Sequence, residues 1–433
     1  MSTAPAPCVQ FRSARLPNGL EIQAEVDPQA HTAALGFFVR TGARDEPGEL
    51  MGVSHFLEHM MFKGSETRNA EQVNRDFDDL GANHNAFTTG ELTAYYAHVL
   101  PERTNAALGI LADILQPALR AKDFDEEKGV IIEEIAMYAD QPFWVGYERM
   151  MEELYRGHPL SHRVLGTKAT VSALSRDQMA DYFAARYSPD NTVLVAAGNL
   201  DFEALVAEAT QLCGAWKPAG PTRAATEWTP QRADAQVALK NTARAYILLA
   251  MPGPSVQDDR RYAAGILMHV LGGGDGSRLH WALVETGLAE EASASYDGHD
   301  QAGDSTLFAV CDPQKVEEIE AVLRRELAAL LDSLTEDDLL RARSRIATGA
   351  AAASERPNGR MFRLGTLWGY RADYIPLDDE VERISQVTLD DLRALCAAFP
   401  LDPMVRVVVM PEAGASGEEA GEVDDESDDD SDE

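Results

Sequence analysis

Hydrophobic positions along the chain switch between two periods. LEIQAEV (residues 20–26) alternates apolar and polar side chains after a PNG turn closed by Gly19. AALGFFV (33–39) is apolar almost throughout. Both predict strands, the second more deeply buried. Residues 52–63 are rich in apolar side chains and predict a helix. Residues 74–80 predict a second, ended by Gly81. A strand is expected over 91–100, then helices over 105–115 and 124–138, with Pro142 placed as a stop just past the last. The helix expected over 175–185 opens on Ser175 and Asp177, which suit capping positions. TVLVAAGNL (192–200) reads as a strand.

Residues 217–235 hold Pro218, Pro221 and Pro230 with few large apolar side chains, and read as a linker. Beyond them the pattern restarts. Strands are expected over 245–252 and 305–311, with helices over 261–271, 316–331 and 337–353. The last pair, helix 387–399 and strand 404–410, repeats the order of 175–200. The two halves thus look like divergent copies. The expected fold class is α+β: two homologous α/β-sandwich halves, each a mixed or antiparallel sheet with helices packed on one face, related by internal duplication. The expected bounds are 1–216 for the first half and 236–412 for the second. A length of 433 residues suits two domains.

One local match between the halves matters for chemistry. HFLEHMMFKG (55–64) aligns with GILMHVLGGG (265–274). His55 then corresponds to Gly265, Glu58 to Met268, and His59 to His269. The second copy has lost two of three polar residues, so the helix does not need them to form. Their presence in the first copy calls for another explanation.

The net charge is −34. Of the last 16 residues 11 are Asp or Glu, and the tail 413–433 is expected to be disordered. Most of the excess lies outside the tail and repels nucleic acid and acidic membranes. No apolar run is long enough for a transmembrane helix. The first residues lack the apolar core of a secretory signal, so the expected location is cytoplasmic. Four cysteines without a CxxC pair read as small core residues in a reducing compartment.

HFLEH places two histidines at i and i+4, on one face of a helix. Two neutral imidazoles are the usual start of a catalytic zinc site, completed by a third ligand and an open position for water. Glu58 falls beside them and could move the water's proton. The same five residues also suit a buried histidine pair satisfied by backbone and carboxylate. A third ligand is offered by EEKGVIIEEIAMY (126–138). Glu127 and Glu134 lie two turns apart and share a face. On that ground Glu134 reads as the ligand and Glu127 as a carboxylate steadying a ligand histidine. Glu126 and Glu133 read as solvated.

HFLEHMMFKG, GANHNAFTTGELTAYY and the EKGVIIEEI helix resemble the inverted-zincin metallopeptidases of the pitrilysin and insulinase kind. The nearest likeness is to the subfamily of roughly 50 kDa subunits that includes mitochondrial processing peptidase and bacterial relatives. GHPLSHRVLGT (157–167) and YSPDNTVLVAAGNL (187–200) extend it. The resemblance implies a Zn2+ peptidase: His55, His59 and Glu134 on zinc, Glu58 as general base, and Glu127 as the additional helix carboxylate. Asn85 and Ala86 match the segment against which a peptide substrate pairs as an added strand. His84 and His98 match no role.

One departure stands out. Active relatives carry an arginine and a tyrosine in the second half, which here are Val284 and Glu290 within SRLHWALVETGLAEE (277–291). Neither can stabilise an oxyanion in the same way. Tyr296 could substitute, though core packing suits it better. The family's subunits form clam-like dimers, so a different partner subunit is expected to supply the pair. Two other readings stand beside the peptidase: a non-catalytic assembly subunit of the same family, or a peptide-binding partner in the maturation of a peptide-derived cofactor.

Overall fold

The computed structural model describes residues 9–370 and 373–412; the acidic tail lies outside them. The first sheet holds β1 (Gln10–Arg15), β2 (Glu21–Val26), β3 (Ala33–Val39), β4 (Asn83–Thr88), β5 (Thr93–Val99) and β6 (Thr192–Gly198), in the order β1-β2-β6-β3-β5-β4. The second holds β7 (Ala233–Leu239), β8 (Ala245–Pro252), β9 (Ala289–His299), β10 (Ala302–Cys311) and β11 (Val405–Pro411), in the order β7-β11-β8-β10-β9. Each has one parallel pair, β2 with β6 and β7 with β11. With β1 set aside, the two orders match strand for strand, as duplication requires.

The first half contributes helices α1 (Val53–Phe62), α2 (Ala70–Asp79), α3 (Thr104–Ile114), α4 (Ala121–Ala139), α5 (Pro142–Leu154), α6 (Lys168–Ala173), α7 (Arg176–Arg186) and α8 (Phe202–Cys213). The second contributes α9 (Arg261–Gly272), α10 (Val316–Ala329), α11 (Glu336–Ala353), α12 (Pro357–Tyr370), α13 (Leu377–Gln386) and α14 (Leu389–Ala398). None among the described residues is long and apolar enough to cross a membrane.

The composition of β3 follows from its position. Leu35 and Phe37 face a core shared with α1, α3 and α4, while Ala34 and Phe38 face the opposite side. The expectation of helices on one face is therefore incomplete. Each sheet's other face is covered by a helix from the other half. α12 lies on β3 and β6 through Met361, Leu364 and Trp368. α5 lies on β8 and β11 through Met150 and Leu154. Both crossings need glycine for close approach. A Cβ on Gly365 would come 2.4 Å from the Phe38 ring, and one on Gly146 would come 2.6 Å from Leu248.

Pro142 lies just past the end of α4 at Ala139, as expected, and it also opens α5. At a helix start its missing N–H costs nothing. The expected linker 217–235 is also pinned rather than loose. β7 begins inside it, Trp228 donates to the Leu154 carbonyl at 2.9 Å, and Arg223 pairs with Asp45 at 2.7 Å.

Buried charge fastens α12 to the first sheet. Glu25, 1% exposed, accepts from Arg360 at 2.9 Å, Arg363 at 2.6 Å and Tyr374 at 3.1 Å. Removing the carboxylate leaves two arginines facing each other in a largely buried site. Glu25→Ala should therefore cost about 3 kcal/mol, read as a lower urea midpoint. An unchanged midpoint would mean that the apolar face of α12 holds it alone.

Candidate metal centre and active site

The start of α1 is fixed by Glu46. This buried carboxylate accepts the N–H groups of Gly52 and Ser54, both at 2.7 Å, and so closes donors that a helix start leaves free. Phe56, Leu57, Met60 and Met61 are buried in the first core. Phe56 stacks on Phe124 of α4 with ring centroids 4.8 Å apart, which sets the two helices side by side. His55 and His59, one turn apart, are left on the face toward α4, with ring centroids 4.8 Å apart.

α4 brings Glu134 to them. Its Oε2 lies 3.8 Å from His55 Nε2 and 3.7 Å from His59 Nε2. One ligand atom from each of the three lies within 4.8 Å of the others, a group able to hold a metal ion. Ligands on a tetrahedral zinc sit about 3.3 Å apart, so a small inward adjustment suffices. Two imidazoles and one carboxylate are also a donor set that zinc takes. Glu127 Oε1 lies 2.8 Å from His59 Nδ1, which leaves Nε2 turned toward Glu134. Lys63 pairs with the other Glu127 oxygen.

The electrostatics suit a cation. Burial, with a contribution from His59, lowers the His55 pKa to about 4, so this imidazole is neutral, as a metal ligand must be. Burial also opposes protonation of His59, but Glu127, Glu58 and Glu134 outweigh it and raise its pKa. Burial alone would raise Glu127; hydrogen bonds from His59 and Lys63 prevail and hold it low. Glu58 is raised by burial, only partly offset by the Thr88 hydroxyl, which donates to Oε2 at 2.7 Å.

The fold thus gathers His55, Glu58, His59, Glu127 and Glu134. Glu126 and Glu133 are exposed. Asn85 and Ala86 lie on β4, at the open edge of the first sheet. Asn85 is exposed, and its Oδ1 accepts the Ala86 N–H at 2.8 Å. His84 stacks on Phe77 at 4.0 Å, and His98 Nε2 lies 2.8 Å from the Thr32 hydroxyl; neither joins the cluster.

A cavity of about 560 Å³ adjoins the site, lined by His55, Glu58 and Glu134 and, from the second half, by His299 and Tyr370. Sequence reasoning missed Lys63, Thr88, His299 and Tyr370. Lys63 carried a signal, since it follows His59 by one helical turn. His299 carried none, because its approach depends on how the halves meet. Val284, Glu290 and Tyr296 do not line the cavity. Val284 ends a π-helical turn, Glu290 pairs with Arg244, and the Tyr296 hydroxyl donates to the Pro254 carbonyl at 2.8 Å.

Residues 21–168 match the sequence profile described as Insulinase (Peptidase family M16), and residues 173–346 match that of the Peptidase M16 inactive domain. An uncharacterized zinc protease of Streptomyces coelicolor is 34% identical over 400 residues, covering 89% of this chain and 86% of its own length. Another, of Bacillus subtilis, is 29% identical over 397 residues, covering 91% and 97%. A protease from Helicobacter pylori shares the fold, with a TM-score of 0.87 at 18% identity over 93% of this chain and all of its own. The chain belongs to the insulinase family of peptidases.

Glu127 orients His59, so its loss should be felt at the metal. Glu127→Gln is expected to weaken zinc binding about 10- to 100-fold in a chelator-competition titration. Unchanged affinity would mean that His59 needs no such support.

Proposed function

We propose that this protein is a zinc-dependent endopeptidase acting on peptides or unfolded protein segments. The observation that carries the reading is the convergence of His55, His59 and Glu134 ligand atoms within 4.8 Å, with Glu58 beside them at a cavity. The names of its relatives as zinc proteases support it. His55, His59 and Glu134 would hold the ion. Zinc bound there lowers the pKa of a water to about 7. Glu58 is the general base: it takes the water's proton and passes it to the leaving amine nitrogen. Its raised pKa brings its proton affinity closer to neutrality. Glu127 keeps His59 in the tautomer that turns Nε2 to the metal.

The substrate pairs with β4 by strand addition. Asn85 Oδ1 holds the Ala86 N–H at 2.8 Å and gives it up to a peptide carbonyl. The absence of an arginine and tyrosine at Val284 and Glu290 supports a clam-shaped dimer in which a different subunit of the family supplies them. The cluster's completeness weighs against a non-catalytic assembly subunit. The acidic surface disfavours nucleic acid and membranes as partners, and we place the protein in the cytoplasm.

Glu58→Gln should keep the full complement of zinc yet lose at least about 10²–10⁴-fold in peptide cleavage; retained cleavage would remove Glu58 from the role of base. Mixing the wild type with a candidate neighbour subunit should raise its cleavage rate well above that of the protein alone. Full activity of a homodimer would refute the need for a second subunit.

A further inference from the structure

The cavity has a wall that the metal chemistry does not use. Glu91, in the turn between β4 and β5, lines the cavity and is 1% exposed. Arg44 donates to it at 2.5 Å and to the Asp300 carbonyl at 2.6 Å. The Asp300 N–H lies 3.2 Å from both Glu91 oxygens. His299 Nδ1 lies 3.5 Å from Glu91 Oε2, while its Nε2 lies 3.0 Å from Asp304, which also accepts from the Tyr155 hydroxyl at 2.7 Å. Arg223, from the segment joining the halves, donates to the Glu91 carbonyl at 2.8 Å.

One carboxylate therefore gathers three parts of the chain. They are the lead-in to α1 at Arg44, the hairpin that carries β4, and the tip of the β9–β10 hairpin of the second half. β4 is an edge strand, so it has a neighbour on only one side. Its turn end is where it is tied across the cavity.

The charges are fixed rather than poised. Burial would raise the Glu91 carboxyl and lower the His299 imidazole. His299, with Arg223 and Arg44 behind it, reverses the first to about 2, and Asp304 followed by Glu91 reverses the second to about 10. The depressed carboxyl contributes stability above its unfolded pKa, lost as pH falls toward 2. The raised imidazole contributes stability below its unfolded pKa, lost as pH rises toward 10. The pair is intact across the neutral range and forms a brace, not a switch.

We propose that Glu91 is a positioning residue for peptide hydrolysis: it braces the β4 edge against the His299–Asp300 tip of the second half and so sets where an added peptide strand meets the far wall of the cavity. The inference rests on the reading of β4 as the peptide-binding edge. Glu91 touches no reacting atom and acts through β4.

The test uses full-length Glu58→Gln loaded with zinc, which holds peptide without cutting it. Affinity for a flexible, fluorescently labelled peptide is measured by anisotropy, and zinc affinity by chelator competition. Adding His299→Gln removes the charged member of the tie to the second half and leaves the Arg44–Glu91 pair and the Asp300 N–H contacts in place. It should weaken peptide binding about tenfold and leave zinc affinity at the parent value. Adding Glu91→Gln should weaken peptide binding further; where that variant fails to fold, His299→Gln decides. Parental peptide affinity in the folded variants overturns the proposal. So does a fall in zinc affinity as large as the fall for peptide, which marks general loosening. A parent that holds zinc but binds no peptide, either alone or mixed with the neighbour subunit, strikes the peptidase reading itself, and the brace with it, before any brace variant is made.

Discussion

The packing of α1 against α4 is the contact on which the site depends. Burial of Phe56, Leu57, Met60 and Met61 supplies roughly 1.5–3 kcal/mol for each side chain and turns His55 and His59 toward Glu134. Glu46 fixes where the helix begins, and the Phe56–Phe124 stack fixes which turn of α4 lies opposite. The polar face then carries three carboxylates that act on His59, and Lys63 pairs with one of them, Glu127. That imbalance is unfavourable for an apolar-backed site and would be relieved by a divalent cation.

The second half serves the same site without carrying any of the metal cluster. α4 ends at Ala139 and α5 begins at Pro142, so the helix that bears Glu134 runs directly into one that packs on the second sheet. α12 returns the exchange on the first sheet. Neither sheet has both faces covered without the other half. The mutual position of β4, α4 and the second-half wall is thereby set by two crossings and by buried charge. A duplicated half that lost its ligands has kept a role as the frame of the cavity.

Much of this was legible in the sequence because it rests on local periodicity. The alternating and continuous runs gave β2 and β3, and the i, i+4 histidines with Glu127 and Glu134 gave the cluster. What was not legible depends on tertiary context. NHNAFT on β4 is polar because it is an edge, so alternation could not mark it as a strand. α12 carries Gly359, Gly365 and Gly369, which obscure a helix whose close approach to the sheet requires small residues. Pro142 marked the end of α4 in the sequence, and only packing on the second sheet shows that it also opens α5. Glu91 and His299 are ordinary polar residues until the halves meet.

The most direct test of the central claim is a crystal structure of the zinc-loaded protein with data collected on both sides of the zinc absorption edge. The account expects an anomalous peak within about 2.0–2.2 Å of His55 Nε2, His59 Nε2 and a Glu134 oxygen. A peak held by other residues, or Glu134 turned away from both imidazoles with metal present, would contradict it.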